Sequence, residues 1–234
     1  MAEGQIVVTG ASKGIGAAIA REMDRRGYAV VCVSRSGEAP VGTGRICDVT
    51  DESAVRGLFA AVAADGPIVG LVNNAGVHIG GSIATLETAN YERVMRLNAT
   101  AVMIAAREAY PYLRQSRGAL VNIGSFFDKL GVPDNLAYCA SKAAVAAMTR
   151  CMAVEWAADG ISVVNVAPGY IETDLNKDFL GREKVRNWLA KRVPVQRPGS
   201  VDEVARLVGA IFSERIAFLT GETIYVDGGQ GINH

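Results

Sequence analysis

Short runs of consecutive apolar residues alternate with helical patterns of apolar and polar positions along most of the chain. The apolar runs, rich in Val and Ile, predict strands at Gln5–Thr9, Tyr28–Ser34, Gly44–Cys47, Ile68–Val72, Gly118–Ile123, Ile161–Val166 and Glu222–Val226. The helical patterns predict helices at Gly14–Arg26, Asp51–Ala64, Asn90–Arg114, Tyr138–Ala157 and Ser200–Phe212. Nearly continuous apolar strands that alternate with helices indicate a parallel sheet covered on both faces. We therefore predict a single α/β domain, a doubly wound parallel sheet of about seven strands with helices on both faces.

Local signals mark several of the predicted boundaries. Gly27 and Gly160 stand where helix C-terminal caps belong, and Ser200–Glu203 has the spacing of a capping box. The segment Tyr170–Gly199 carries charges, two prolines and one tryptophan. It is long for a simple connection, so we predict a partly helical lid over a site, at about residues 170–199.

The composition favours a small-molecule substrate as the partner. The chain has 234 residues, with 24 basic and 24 acidic side chains and a formal net charge of zero. This balance argues against a nucleic acid or an anionic membrane surface as the partner. No apolar stretch approaches the roughly 18 residues that a membrane span needs, and the N-terminus lacks the layout of a signal peptide. We therefore predict a cytoplasmic protein that binds neither nucleic acid nor membrane.

Cysteine and histidine are too sparse and scattered to indicate a metal site. The four cysteines lie in apolar segments without CxxC spacing, at Cys32, Cys47, Cys139 and Cys151. That placement is typical of small core residues in a reducing compartment. The only histidines are His78 and His234. We predict no disulfide and no metal.

A glycine-rich turn follows the first predicted strand. The sequence TGASKGIG places Gly10, Gly14 and Gly16 between a strand and a helix. Backbone amides and a helix N-terminus can face a diphosphate at this position. The spacing G-x-x-x-G-x-G differs from the dinucleotide pattern G-x-G-x-x-G, so its strand and helix context carries the prediction.

Charges near this turn bear on the choice of cofactor. The second strand ends at Ser34 and Arg35 rather than at an acid, and Lys13 lies in the turn. A base suits a 2′-phosphate, whereas an acid suits a free ribose 2′-hydroxyl. We therefore favour NADP(H), with NAD(H) possible. The alternative is that Lys13 and Arg35 are solvated surface charges.

Three residues in the second half of the chain suggest acid–base chemistry. The motif YCASK places Tyr138 and Lys142 four residues apart on one helical face. A phenol has an unperturbed pKa near ~10, and a nearby cation favours its phenolate. Ser125 ends an apolar strand, at the edge where a parallel sheet keeps its ligand site. Tyr-x-x-x-Lys also occurs by chance, so these residues alone leave a structural role open.

Short motifs spread over essentially the whole chain resemble the short-chain dehydrogenase/reductase family, and within it the 3-oxoacyl-(acyl-carrier-protein) reductase-like members. They are TGASKGIG, CDV at Cys47–Val49, NNAG at Asn73–Gly76, Asn98 in LNAT, Ser125, YCASK, APGYIETDL from Ala167 and TGETIYVDGG near the end. Each motif is modest alone, but their order and spacing together are highly specific. The resemblance implies a single Rossmann domain over residues 1–234. It also implies a dinucleotide-binding part over about 1–120 and a catalytic and substrate part over about 121–234.

The resemblance also implies site residues. Tyr138 would be the acid–base, Lys142 would lower its pKa and bind the nicotinamide ribose, and Ser125 would bind the substrate oxygen. Asn98 would hold a water that links Lys142 to solvent. The implied cofactor-binding residues are Gly10, Ser12, Lys13, Gly14, Ile15, Gly16, Ser34, Arg35, Asp48, Val49, Asn73, Ala75, Gly76, Tyr138, Lys142, Pro168, Gly169, Ile171 and Thr173. The two Ala-rich helices, Asn90–Arg114 and Tyr138–Ala157, would form a dimer interface within a homotetramer or homodimer.

The leading hypothesis is an NADP-dependent oxidoreductase that interconverts a secondary alcohol and a ketone, most readily by reducing a ketone or 3-oxoacyl substrate. One alternative is an NAD-dependent dehydrogenase of a cyclic alcohol or dihydrodiol. The segment SRSGEAPVGTGRICDV supports it mildly, being shorter than in most family members, which carry a helix there. A non-catalytic NAD(P)-binding sensor is the alternative from another class, although such proteins usually lose the tyrosine or the lysine.

Several residues near the predicted site are not assigned a function. We predict that His78 is a loop histidine without a catalytic role. Three aromatic residues, Phe126, Phe127 and Trp188, are expected to fill core or interface, and the alternative is that they line a substrate pocket. Asp128 and Lys129 are expected to be a solvated loop pair.

Overall fold

The computed structural model describes residues 4–174 and 176–233. Leu175, in the predicted lid, and His234 lie outside the described residues. The strands are β1 (Gln5–Thr9), β2 (Ala29–Ser34), β3 (Thr43–Ile46), β4 (Ile68–Asn73), β5 (Ala119–Ile123), β6 (Ser162–Pro168), β7 (Ile171–Glu172), β8 (Gly199–Ser200) and β9 (Thr223–Val226). The helices are α1 (Gly14–Arg25), α2 (Glu52–Asp65), α3 (Thr88–Met95), α4 (Ala101–Ser116), α5 (Leu136–Trp156), α6 (Lys177–Leu180), α7 (Glu183–Arg192) and α8 (Val201–Glu214).

Seven of the strands form one parallel sheet in the order β3-β2-β1-β4-β5-β6-β9. The prediction of a doubly wound α/β fold is therefore confirmed. The chain adds strands outward from β1 in one direction and then, from β4, in the other. The strand order reverses between β1 and β4, and ligands of such sheets bind beyond the carboxyl ends of the strands at this point.

Alternation along each strand divides the core into two layers. On β1, Ile6 and Val8 pack toward the layer that contains residues of α1 and α8, whereas Val7 packs toward the layer under α2 and α4. All three side chains are fully buried. A strand with apolar side chains on both faces belongs inside a sheet covered by helices on both sides. This explains why the strands read as unbroken apolar runs.

The predicted helix Asn90–Arg114 is interrupted in the structure. Helix α3 passes into a π-helical turn, Arg96–Thr100, and then into α4. Such turns insert a residue into the helical ladder and often occur at functional sites. The turn carries Asn98, and its side chain is fully buried. Apolar periodicity does not register this change, because α3 and α4 both keep a buried face.

The segment 170–199 forms its own small structure beside the sheet. Strands β7 and β8 pair at its two ends, and α6 and α7 lie between them. Three of its buried side chains, Leu180, Leu189 and Val193, form a cluster separate from the two main layers, with Tyr170 packed against it. The capping box predicted at Ser200 and Glu203 is present at the start of α8. The role of this segment as a lid stays a prediction.

The described part of the chain has neither a membrane-spanning helix nor a cluster of metal ligands. No helix there has the length and hydropathy needed to cross a bilayer. Within the same residues, no group of three or more His, Cys, Asp or Glu side chains is arranged to hold a metal ion.

Candidate active site

The glycine turn is held by residues that follow β4. Asn74 donates side-chain hydrogen bonds to the carbonyl oxygens of Thr9 (2.9 Å) and Gly10 (3.1 Å). The Thr9 hydroxyl oxygen accepts from the backbone amides of Asn74 (3.0 Å) and Ala75 (3.1 Å). These bonds join the loops after β1 and β4 at the point where the strand order reverses. The sequence motifs alone do not single out Thr9 or Asn74, although the two residues lie within TGASKGIG and NNAG.

Close packing explains why two of the turn positions are glycine. Gly10 has φ of 66°, and a Cβ there would lie 2.9 Å from the Cα of Ala75. A Cβ on Gly16 would overlap the Gly10 carbonyl and the Asn74 side chain. The turn therefore presents bare backbone and the N-terminus of α1 to the space in front of it. This cradle suits a diphosphate, because amide hydrogens and the helix dipole favour negative charge.

A cleft of about 580 Å³ lies in front of this turn. Twelve of the predicted cofactor residues line it: Gly10, Ser12, Lys13, Gly14, Ile15, Gly16, Ser34, Arg35, Val49, Ala75, Gly76 and Thr173. The cleft also has lining residues that our sequence reading missed: Val33, Ser36, Glu38, Cys47, Asn74 and Leu97. Its lining runs from the glycine turn to the end of β2, which suits the diphosphate and the adenosine of a dinucleotide.

The remaining predicted cofactor residues lie elsewhere. Asn73 is buried and donates to the Asn122 side chain at 3.0 Å, within the core. Asp48 accepts from the Thr50 amide (2.9 Å) and hydroxyl (2.7 Å). The predicted residues that do not line the cleft are Asp48, Asn73, Tyr138, Lys142, Pro168, Gly169 and Ile171. For Asn73 and Ile171, burial of the side chain in the core is the physical reason.

Charges of both signs stand at the adenosine end of the cleft. Arg35 and Glu38 line it, on the connection between β2 and β3, which contains no helix. The Ser34 hydroxyl oxygen accepts from the Gly37 amide at 3.0 Å, which turns this connection toward β3. The Asp48 carboxyl has a lowered pKa, chiefly because of its hydrogen bonds from Thr50, with a smaller contribution from the Arg35 charge. An acid and a base therefore face the same end of the cleft.

Ser125, Tyr138 and Lys142 meet at the carboxyl end of β5. Ser125 precedes the short 3-10 turn Phe126–Asp128, where its hydroxyl accepts from the Phe127 amide at 3.3 Å, and it lies near enough to Tyr138 to influence the pKa of that residue. The Lys142 ammonium lies 5.6 Å from the centroid of the Tyr138 ring and donates to the Ile123 carbonyl at 2.7 Å. The structure thus brings together the three residues that the sequence selected for acid–base chemistry.

Burial dominates the ionisation of this group. The pKa of Tyr138 is raised, mainly by burial, with the Ser125 hydroxyl acting in the opposite direction. Burial lowers the pKa of Lys142 to about 8. The resemblance implies that Lys142 lowers the pKa of Tyr138, whereas the pKa is raised by burial and Lys142 is not among the groups that shift it. The physical reason is that a hydroxyl removed from water resists ionisation, while the ammonium points to a backbone carbonyl.

Asn98 supports the candidate site through side-chain hydrogen bonds. Its side chain accepts from the Val77 amide and donates to the Val77 carbonyl, both at 2.8 Å. It also donates to the Ser141 hydroxyl at 3.1 Å, and Ser141 donates to the Tyr138 carbonyl at 2.8 Å. Asn98 therefore connects the loop after β4 to the first turn of α5. Ser141 was missed in the sequence, although it lies within YCASK.

Two of the unassigned groups have closer contacts than predicted. The His78 ring packs edge-on against Tyr138, with 4.9 Å between centroids, and forms a hydrogen bond with Asn135. The prediction that Asp128 and Lys129 form a solvated pair is wrong. Asp128 accepts from the Tyr225 hydroxyl at 3.0 Å, and the Lys129 ammonium lies 3.6 Å from the centroid of the Tyr225 ring. Burial and the Asp128 carboxylate together raise the pKa of Tyr225 to about 12.

Comparison with known proteins agrees with this arrangement. A family model described as enoyl-(acyl carrier protein) reductase matches residues 10–230. The chain is 38% identical over 227 residues to inactive 2-(S)-hydroxypropyl-CoM dehydrogenase 2 of Xanthobacter autotrophicus, covering 91% of this chain and 99% of that protein. It is 35% identical over 232 residues to the 3-oxoacyl-[acyl-carrier-protein] reductase MabA of Mycobacterium tuberculosis, covering 98% and 93%.

Solved structures show the same likeness. Gluconate 5-dehydrogenase from Burkholderia cenocepacia, in complex with NADP and tartrate, superposes with a TM-score of 0.92 at 30% identity. The superposition covers 100% of this chain and 97% of that one. Aldohexose dehydrogenase from Thermoplasma acidophilum gives a TM-score of 0.92 at 31% identity, covering 100% and 96%. The chain belongs to the short-chain dehydrogenase/reductase family of oxidoreductases.

Proposed function

We propose that the protein is an NADP(H)-dependent oxidoreductase that interconverts a secondary alcohol and a ketone, and that it works chiefly as a ketone or 3-oxoacyl reductase. The observation that carries the proposal is the meeting of Ser125, Tyr138 and Lys142 at the sheet edge that also holds the glycine cradle. The likeness to an NADP-bound gluconate 5-dehydrogenase and to 3-oxoacyl-[acyl-carrier-protein] reductases supports it.

Each residue would have a separate task. The Ser125 hydroxyl would donate to the substrate oxygen, and the Tyr138 hydroxyl would give that oxygen its proton during reduction. Because burial raises the pKa of Tyr138, its hydroxyl is protonated but a weak acid, so proton donation needs a group that stabilises the phenolate. Lys142 would bind the ribose and stabilise the phenolate left behind. A bound nicotinamide would supply the hydride, and the cradle would fix its position near the substrate.

The test of catalysis is Tyr138→Phe, which removes the proton donor and keeps the ring. We expect turnover of a ketone to be lost while NADPH still binds, as measured by cofactor fluorescence. Comparable turnover in this variant would remove Tyr138 from the mechanism. Loss of NADPH binding along with turnover would instead indicate that the substitution disrupts the fold.

The choice of NADP(H) rests on Lys13 and Arg35, both of which line the cleft. Either base can pair with a 2′-phosphate. Titration with NADPH and NADH at equal concentrations tests this, and we expect tighter binding of NADPH. Arg35→Asp should shift the preference toward NADH. An unchanged preference in that variant would leave Lys13 as the residue that binds the phosphate.

One observation favours a second candidate, an NAD-dependent dehydrogenase of a cyclic alcohol or dihydrodiol. Glu38 lines the adenosine end of the cleft, and an acid there can accept a bond from a free 2′-hydroxyl. A clear preference for NADH that is lost in Glu38→Gln would support this candidate.

A non-catalytic NAD(P)-binding sensor is the third candidate, since one relative is named as an inactive dehydrogenase. NADPH binding without turnover of any ketone or alcohol would favour it.

We further propose that the chain forms a homotetramer or homodimer, with about residues 1–120 as the cofactor-binding part and about 121–234 as the catalytic part. Helix α5 exposes an apolar stripe of Ala143, Ala147, Cys151 and Val154, and Val154 is 81% exposed. A stripe of small residues of this kind suits a helix–helix contact between subunits. Val154→Asp should lower the molar mass measured by light scattering, whereas an unchanged mass would exclude this stripe from the interface.

A further inference from the structure

A continuous series of aromatic rings leads away from the candidate catalytic tyrosine. The Phe127 ring lies 6.0 Å from the Tyr138 ring at an interplanar angle of 85°. Tyr170 follows at 6.3 Å from Phe127, at 84°, and Trp188 on α7 follows at 5.4 Å from Tyr170, at 81°. All three distances join ring centroids. We call Phe127, Tyr170 and Trp188 the ring wall.

The buried Phe126 supports the ring wall, and each ring of the wall remains partly exposed. Phe126 is buried and packs against Phe127 at 4.7 Å and Tyr170 at 5.4 Å. Tyr170 also packs on the separate cluster around Leu189. Phe127 and Tyr170 are only partly buried, and Trp188 is 43% exposed. A single exposed aromatic residue needs no explanation, but a linked series that starts at the ring of the candidate catalytic tyrosine is a surface that a ligand can cover.

From this geometry, and resting on the function proposed above, we propose that the substrate carries an aromatic ring on the carbon that bears the reacting oxygen. The adjacent rings of the wall stand nearly perpendicular to one another. A planar ring placed among them gains edge-to-face contacts, which an alkyl chain or a polyol does not make. A polyol would also set its hydroxyl groups against ring carbons without hydrogen-bond partners, which is unfavourable. The substrate class is therefore an aryl ketone and its secondary alcohol.

The two tryptophans of the chain allow a test that does not depend on turnover. Trp156 packs against Tyr110, at the end of α5 and away from the wall, so Trp156→Phe leaves Trp188 as the only tryptophan. We expect acetophenone to change Trp188 fluorescence in a saturable manner. Gluconate, tested as a polyol probe, should leave that fluorescence unchanged. A saturable response to gluconate but not to acetophenone would overturn the proposal.

Kinetics distinguish a ring from any apolar group. Acetophenone and 2-octanone have the same number of carbon atoms, so their kcat/KM ratio compares a ring with a chain. We expect acetophenone to be the better substrate, and Phe127→Leu to lower its kcat/KM relative to that of 2-octanone by about 2- to 10-fold. The matched control is Phe218→Leu at a fully exposed ring, which should leave the ratio unchanged. A preference for 2-octanone, or an equal loss for both ketones in Phe127→Leu, would overturn the ring assignment.

Failure of the proposed function is distinguishable from failure of this inference. If the proposed function is wrong, NADPH does not bind, no ketone is turned over, or turnover persists in Tyr138→Phe, whatever Trp188 reports. If the ring assignment is wrong, NADPH binding and dependence on Tyr138 persist while the acetophenone response of Trp188 is absent.

Discussion

The glycine turn and the segment 170–199 both border the candidate site, but different forces hold them. The turn is fixed by hydrogen bonds that Asn74 donates to Thr9 and Gly10 and by contacts too close for any side chain at Gly16. The segment is held by its own apolar cluster around Leu189 and by a two-residue strand pair, β7 with β8. The glycine turn is part of the sheet edge, whereas the segment 170–199 is attached to that edge.

This difference separates the binding of the diphosphate, which all dinucleotides share, from the binding of one particular substrate. A diphosphate presents the same charge and shape in every dinucleotide, so a rigid backbone cradle serves it well. The substrate must enter and leave, and segments with few buried contacts open more easily than the core. We therefore expect changes at the turn to affect cofactor binding and changes in the segment to affect substrate kinetics.

The largest effect is expected at Lys142, beside Tyr138 in the candidate active site. Lys142→Met removes the ammonium that would stabilise the phenolate, so kcat/KM should fall by about 10² to 10⁴. Its pKa of about 8 means that the ammonium is lost as the pH rises through that value. The reduction rate of the wild type should therefore decline above about pH 8, and the residual rate of the variant should lack this decline. A variant that kept the same pH profile would assign the titration to another group.

Two leucine substitutions compare the core with the segment in terms of stability. Leu120 lies in a main core layer and Leu189 in the separate cluster, and both are buried. Leu120→Ala should lower the free energy of unfolding by about 2–5 kcal/mol, measured by urea denaturation. Leu189→Ala removes the same atoms but should cost less, because the segment can open without unfolding the sheet.

The consequence of Leu189→Ala should appear instead in substrate kinetics and local exchange. We expect a raised KM for the ketone and faster hydrogen exchange in α7, with NADPH affinity unchanged. Equal losses of unfolding free energy in the two variants would contradict the comparison, since they would make the segment part of the same cooperative unit as the core.

The sequence predicts features that depend on neighbouring residues better than features that depend on packing between distant ones. Tyr138 and Lys142 are four residues apart on one helix, so their proximity follows from helical geometry. The contact between Asp128 and Tyr225 joins positions 97 residues apart, and no local pattern indicates it. The direction of the Tyr138 pKa was missed for the same reason, because burial by surrounding elements decided it.

A smaller effect, on the affinity for NADPH, is expected when a single methyl group is added to the glycine turn. Gly16→Ala would press a Cβ against the Gly10 carbonyl and displace Asn74, so the affinity for NADPH should fall about 10-fold, or ~1.4 kcal/mol. Gly57→Ala is the matched control, because Gly57 is also helical and a Cβ there meets nothing within 4 Å. That control should gain about 0.5–1 kcal/mol of stability from helix propensity alone. Unchanged NADPH affinity in Gly16→Ala would show that the cradle tolerates a side chain.

The smallest effect is expected at Glu203, where the segment joins α8. Its carboxylate accepts from the Ser200 amide at 2.8 Å and pairs with Arg197 at 2.7 Å.

The Arg197 pairing and the Ser200 bond lower the pKa of Glu203 from 4.5 to about 2, so its stabilising effect is complete above 4.5 and is lost as the pH falls toward 2. Glu203→Gln should cost about 1 kcal/mol at neutral pH and flatten the acid dependence of stability in that window. Ser200→Ala removes the cap but keeps the Arg197 pair, so it should lower stability by a similar amount while most of the pH dependence remains. The temperature of thermal unfolding, measured between pH 2 and 4.5, tests this. If it changed with pH equally in Glu203→Gln and the wild type, the ion pair would contribute nothing to the attachment of the segment.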